Sequence, residues 1–239
     1  MTDFMPAPPP VLIVSHGQPS DPAPAAAEMA AFAAQVAQHV PGCQVGSVTL
    51  AEDGALAAAV ARLGPGGLVF PMFMAGGWFT SVNLPKRLAE AGGTDWQVLE
   101  PFGTVPEVQA LAVDLVREAG LGAGGNLLLA AHGSFRSAAP SDVANAVALM
   151  IKDALGLARS EAAFIDQSPR LAEVRGFGDD AVCLPFFAAK GGHVIDDIPQ
   201  ALAEAGFTGR VLEPLGLDPR VPGLVAARLR AVVAGLQAA

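Results

Sequence analysis

Two of the chain's four histidines, His132 and His193, each follow a run of apolar residues and stand before a segment of helical character. The first run is Leu127-Leu128-Leu129-Ala130-Ala131, leading into His132-Gly133-Ser134. The second covers Ala181 to Phe187 and passes through Ala188-Ala189-Lys190-Gly191-Gly192 to His193. Imidazole is a ligand for mid-to-late first-row divalent metals such as cobalt, iron, nickel and zinc. A free imidazole titrates near pH 6.5, so a neutral ring is also available to take a proton. One histidine after a strand is usually incidental, whereas two on neighbouring loops can act on the same ion or proton. A third group, Asp166, ends the strand-like Ala162-Ala163-Phe164-Ile165. It is expected either to be a third donor or to cap the segment that follows it.

These side chains meet only if the strands before them are neighbours. From the amino terminus, Val11 to Ser15 is a short apolar run ending in His16-Gly17, the pattern of a strand buried on both faces. A helix is expected over about 24–40, closed by Pro41-Gly42. Then come a strand at Val45 to Leu50, a helix over about 54–63, a strand at Leu68 to Met74, a Gly76-Gly77 loop and a helix to about Ala91. Trp96 to Leu99 makes a fourth strand, and 106–119 a fourth helix.

The chain then repeats itself. Val11-Leu12-Ile13-Val14-Ser15-His16-Gly17 is answered by Leu127 to Gly133, Leu88-Ala89-Glu90-Ala91-Gly92 by Leu202 to Gly206, and Val98-Leu99-Glu100-Pro101 by Val211 to Pro214. This is an internal duplication, with repeats at 1–122 and 123–239 and a glycine-rich seam at Gly120 to Gly125. The seam matches GxGxxG, but it precedes a strand instead of following one, so it reads as a linker and not a dinucleotide loop. Each half is βαβαβαβα. The expected fold is α/β, with two tandem domains, each a four-stranded parallel sheet flanked by helices. In a 2-1-3-4 sheet, strands one and three flank the point where the chain reverses, beyond whose carboxyl ends ligands bind. In the second half His132 follows strand one and His193 follows strand three.

The first half is depleted at those positions. It keeps His16, but Ala51 stands opposite Asp166, and an aromatic, Trp78 or Phe79 according to where a gap is placed, stands opposite His193. An aromatic there would pack against a flat ligand or serve the core. The expectation is a site armed by the second repeat.

A net charge of −9 disfavours a general nucleic-acid or acidic-membrane binder. No apolar run approaches the roughly 18 residues of a membrane span, and Met1 to Pro10 lacks the features of an export signal, so a cytoplasmic protein is expected. Cys43 and Cys183 are far apart in apolar surroundings and are expected to be free thiols. No GxxxxGK[ST] stretch is present, so no nucleotide is expected.

His132-Gly133-Ser134, Phe164-Ile165-Asp166 before Pro169-Arg170-Leu171, and the segment from Pro185 to Pro199 together resemble the sirohydrochlorin chelatase (CbiX-type) family. These small class II chelatases are related to protoporphyrin ferrochelatase. The resemblance covers essentially the whole chain, in the form of the family's long, two-repeat members. It implies insertion of Co²⁺ or Fe²⁺, as substrate and without ATP, into the tetrapyrrole sirohydrochlorin, in cobalamin or siroheme biosynthesis. His132 and His193 would handle the metal and the pyrrole protons, with Asp166 where many relatives have the longer glutamate. Because sirohydrochlorin carries several carboxylates, Arg136, Lys190 and Arg170 are expected to bind it, with His16 and Trp78 contributing from the first repeat. The chain would act as a monomer or homodimer. A hydrolase is disfavoured, because no G-x-S-x-G elbow is present. The other alternative is a carrier that binds tetrapyrrole or metal in the interdomain cleft without chemistry.

Overall fold

Burial of two apolar central strands organises the molecule, which is described over residues 8–237 in a computed structural model. Strand β1 (Val11–Ser15) is followed by α1 (Pro22–Gln38), β2 (Val45–Thr49), α2 (Ala55–Leu63), β3 (Gly67–Pro71), α3 (Leu84–Glu90), β4 (Trp96–Val98) and α4 (Pro106–Glu118). The series begins again with β5 (Asn126–Ala131), α5 (Ala139–Leu155), β6 (Arg159–Phe164), β7 (Val182–Pro185), α6 (Ile198–Ala205), β8 (Arg210–Val211) and α7 (Val221–Gln237). Where the first series has the helix α2 between its second and third strands, the second has only the short 3₁₀ turn Leu171–Glu173.

The expected strand order is found in both sheets: β2-β1-β3-β4 and β6-β5-β7-β8, all parallel. The central strands are apolar because both of their faces are covered. Val11 to Val14 of β1 and Leu127 to Ala130 of β5 are wholly buried. At roughly 1.5–3 kcal/mol for each large side chain removed from water, these two strands are main contributors to the cores. Edge strands carry polar residues, as in Arg159-Ser160-Glu161 of β6, and β8 is reduced to two exposed residues.

The helices show why amphipathic spacing was readable. Met29, Ala33 and Val36 of α1 fall on one buried face, as do Ala144, Val147, Ala148 and Ile151 of α5. Proline opens α1, α4 and α5 near their first positions, where its missing N–H costs no helical bond.

By contacts the described chain forms two compact units. The first takes the residues up to Met72, Trp78–Pro101 and those from Pro219 onward; the second takes Phe73–Gly77 and Phe102–Asp218. In the first unit α7 packs on α1, and in the second α4 packs on α5. In the second unit Leu128 and Ala130 of β5 pack with Ala163, Leu171, Cys183, Ile198 and Leu202. Both cysteines are free. Burial pushes the Cys183 thiol up to about 12, so it is not a thiolate ligand at neutral pH. Cys43 is half-buried beside the Pro9 carbonyl.

Candidate metal centre in the second unit

The loops after β5, β6 and β7 are held in register beyond the ends of the strands. Ile165 N–H donates to the Ala131 carbonyl (3.1 Å), Asp166 N–H to the His132 carbonyl (3.0 Å) and Phe186 N–H to the Ala130 carbonyl (2.8 Å). His132 therefore leaves the sheet at a fixed angle. The following Gly133 adopts φ +76°, and a β-carbon there would lie 2.7 Å from Gln167 Cγ and 2.9 Å from Phe164 Cβ. The Gln167 side chain instead accepts the Ser134 N–H at 2.6 Å, tying the two loops together. Gly133→Ala combines a left-handed alanine with overpacking, so it is expected to cost about 2–4 kcal/mol. Urea unfolding of the variant checks this.

His193 opens a single π-turn, His193–Asp197, that runs directly into α6. Its Nε2 lies 3.0 Å from Nε2 of His132, with the rings nearly perpendicular at 85°. The outer nitrogens are both engaged. Nδ1 of His132 faces the Gly133 carbonyl at 3.1 Å and an Asp166 carboxylate oxygen at 3.4 Å, while Nδ1 of His193 faces the Asp197 carboxylate at 2.6 Å. Carbonyl and carboxylate oxygens only accept, so in the neutral rings both Nδ1 atoms carry the proton and both Nε2 atoms present lone pairs. Two lone pairs facing each other at 3.0 Å repel unless a proton or a cation lies between them. With imidazole–metal bonds of about 2.0–2.1 Å, as for zinc, this separation spans an N–metal–N angle of roughly 90–100°, suited to two adjacent positions of an octahedral ion.

Among the described residues no group of three or more histidine, cysteine or acidic side chains converges on one point. Asp166 sits on the far side of His132 from the shared gap, so the structure sets it behind that imidazole and not beside the gap. It does not cap a helix either. Its loop folds back so that Phe164 N–H donates to the Pro169 carbonyl at 2.9 Å, and the next helical element begins only at Leu171.

Arg136, Arg170 and Lys190 are exposed on the three loops that carry the histidines and Asp166. Arg170 reaches the Ile165 carbonyl at 3.5 Å, and Lys190 lies 3.9 Å from the Glu213 carboxylate. Phe135, one of the most exposed large apolar side chains at 75 %, adds an aromatic face to the His132 loop.

In the first unit, His16 keeps the same tether to the next carbonyl, at 3.3 Å, and Gly17 the same positive φ, at +74°. Its ring stacks on Phe79, centroids 5.6 Å apart. Phe79 opens the π-turn Phe79–Asn83 as His193 opens His193–Asp197, and the proline-bearing starts of α3 and α6 follow directly. Phe79 is thus the counterpart of His193, and Asn83 of Asp197, while Trp78 is a neighbouring, 60 % exposed side chain. Asp197 and Gln167 were not singled out from the sequence. The signal for Asp197 was its position four residues after His193, where helical geometry brings two side chains together.

The model of the CbiX family matches residues 10–119 and again 126–232. Among solved structures, the chain is 45% identical to CbiX of denitrifying bacteria, described as their terminal enzyme of siroheme biosynthesis, with a TM-score of 0.86 over 93% of this chain and 98% of that one. It shares its fold with SirB of Bacillus subtilis bearing Fe³⁺ (15% identity, TM-score 0.74, 95% and 96% covered). The same holds for SirB of subspecies spizizenii, a sirohydrochlorin chelatase in complex with cobalt (16%, TM-score 0.69, 94% of each chain). No curated protein matches the chain.

Proposed function

The chain belongs to the CbiX family, and we propose that it inserts a divalent metal ion, Co²⁺ or Fe²⁺, into sirohydrochlorin without a nucleotide. The observation that carries this reading is the pair of inward-facing Nε2 atoms 3.0 Å apart. Two imidazoles suit an ion that must be handed on. They occupy two positions of its coordination shell and leave the rest to water and then to the macrocycle nitrogens.

Insertion requires that two pyrrole N–H protons leave and that the ion shed its water. In this reading His132 and His193 receive the ion and, once it has passed to the macrocycle, either Nε2 is available as a proton acceptor. Asp166, behind His132, favours the proton on its Nδ1 and stabilises the ring when it becomes charged. Arg136, Lys190 and Arg170 offer charge-assisted hydrogen bonds to the substrate carboxylates, and Phe135 offers a face to its apolar ring edge. The proposal places a monomer or homodimer in the cytoplasm, with no nucleic-acid or membrane partner. No helix among the described residues is long and apolar enough to cross a membrane.

The test mixes purified protein with sirohydrochlorin and Co²⁺ or Fe²⁺ under anaerobic conditions and follows the visible spectrum. Metallation well above the uncatalysed rate, with many turnovers per protein, is the expected result. A spectral change that stops at one equivalent would identify a carrier instead.

A further inference from the structure

We propose that Asp197 is a positioning residue, which holds His193 in the Nδ1–H tautomer with its Nε2 lone pair directed at the incoming metal. This deepens the metal-insertion reading and rests on it for the effect on turnover, though not for the effect on metal binding itself.

Three observations carry it. The Asp197 carboxylate oxygen lies 2.6 Å from His193 Nδ1, the length of a charge-assisted bond, while the opposite nitrogen of the same ring faces His132. Asp197 also closes a π-turn that continues into α6 in helical backbone (φ −73°, ψ −40°), so no free helix N–H competes for its carboxylate and one turn of helix carries it back over His193. The third observation comes from the duplication. In the first unit the π-turn that opens with Phe79 in place of histidine closes with Asn83 in place of aspartate. The Asn83 Oδ1 is buried without a hydrogen-bond partner. Where the ring that needs an acceptor is gone, the charge is gone as well, and the oxygen left in its place has nothing to accept.

The physical consequence is a matter of tautomer and angle. An imidazole with a free Nδ1 can carry its proton on either nitrogen and can turn over about its Cβ–Cγ bond. Either change removes the lone pair from the gap shared with His132. An acceptor-only carboxylate permits only the Nδ1–H form, and a short bond fixes the ring plane.

The experiment titrates the full-length protein with Co²⁺ alone, followed by visible absorption, and records the tautomer of His193 by ¹⁵N NMR of histidine-labelled protein. The variants are Asp197→Asn, Asp197→Ala, His193→Ala and the double variant His193→Ala/Asp197→Asn, each checked by circular dichroism. Asp197→Ala is expected to weaken Co²⁺ binding about 10–100-fold. Asp197→Asn, whose amide can donate to Nδ1, is expected to raise the Nε2–H tautomer and is close enough in shape to keep the turn folded. In the His193→Ala background the same substitution should change nothing further. The KM for sirohydrochlorin should stay within about twofold, because Asp197 acts on the metal through His193.

Unchanged Co²⁺ affinity and an unchanged tautomer in the Asp197 variants would overturn the proposal. So would an equal further loss in the His193→Ala background. If Co²⁺ alone binds too weakly to titrate, the tautomer ratio decides. Should Asp197 control binding and tautomer in a protein that does not metallate sirohydrochlorin, the chelatase reading fails and the positioning role stands. Active metallation with indifferent Asp197 variants is the reverse case.

Discussion

His132→Ala and His193→Ala are each expected to lower the metallation rate by about 100-fold or more, while His16→Ala stays within about threefold of the parent protein. Each of the first two removes one of the paired Nε2 atoms 3.0 Å apart, leaving a single imidazole to compete with water for a divalent ion. Neither should unfold the protein. The His132 and His193 side chains are 43% and 48% exposed, so truncating them opens no sealed cavity. His16 differs in kind, because the ring beside it is Phe79, which offers no ligand and no acceptor. Steady-state metallation by the three variants side by side, with circular dichroism to confirm folding, checks the expectation. An equal and severe loss from His16→Ala and His193→Ala would show that both repeats contribute essential groups.

The second large effect is a gain. The combined substitution Phe79→His and Asn83→Asp is expected to raise the Co²⁺ stoichiometry of the protein from one to two. The first unit already supplies what the new pair would need: a histidine after the central strand, tethered through Nδ1 to the next carbonyl, and a π-turn at the place where the second unit has its own. Asn83 Oδ1 is buried without a partner, and a carboxylate there, more costly to desolvate than the amide, would be compensated by accepting the new Nδ1–H. Phe79→His alone is expected to bind the second ion more weakly than the pair of substitutions, for the reason that assigns Asp197 its role. Isothermal titration with Co²⁺ reads the stoichiometry directly. A value that remains at one for the double variant would mean that the two π-turns are not equivalent scaffolds.

Much of this protein is legible without coordinates because two of its signals are local. A short apolar run such as Leu127 to Ala131, ended by Gly133, has the length and flanks of a strand covered on both faces, and the spacing of Met29, Ala33 and Val36 is that of a helix burying one face. The duplication then doubles the information, since an element unclear in one repeat is named by the other. A parallel sheet with right-handed crossovers leaves few strand orders, and the expected one brings the loops of His132 and His193 together. The pairing of the two histidines follows from chain order and sheet topology.

What the tertiary structure alone decided are directions and angles. Asp166 follows its strand as expected, but a loop that folds back from Arg170 to Phe164 sets its carboxylate behind His132, and no run of residue types records that turn. The π-turns are equally silent in the sequence. Widening a helix by one residue is a response to how its first turn packs, and it leaves the apolar spacing of α3 and α6 unchanged. Yet those turns determine that Phe79 and not Trp78 is the counterpart of His193. Membership in the compact units is of the same kind. Helix α4 lies in sequence at the end of the first repeat and packs in the second unit, while α7 ends the second repeat and packs in the first. An amphipathic stripe states that a helix must bury one face, but every apolar surface of the right width satisfies it, and only the folded chain selects which one.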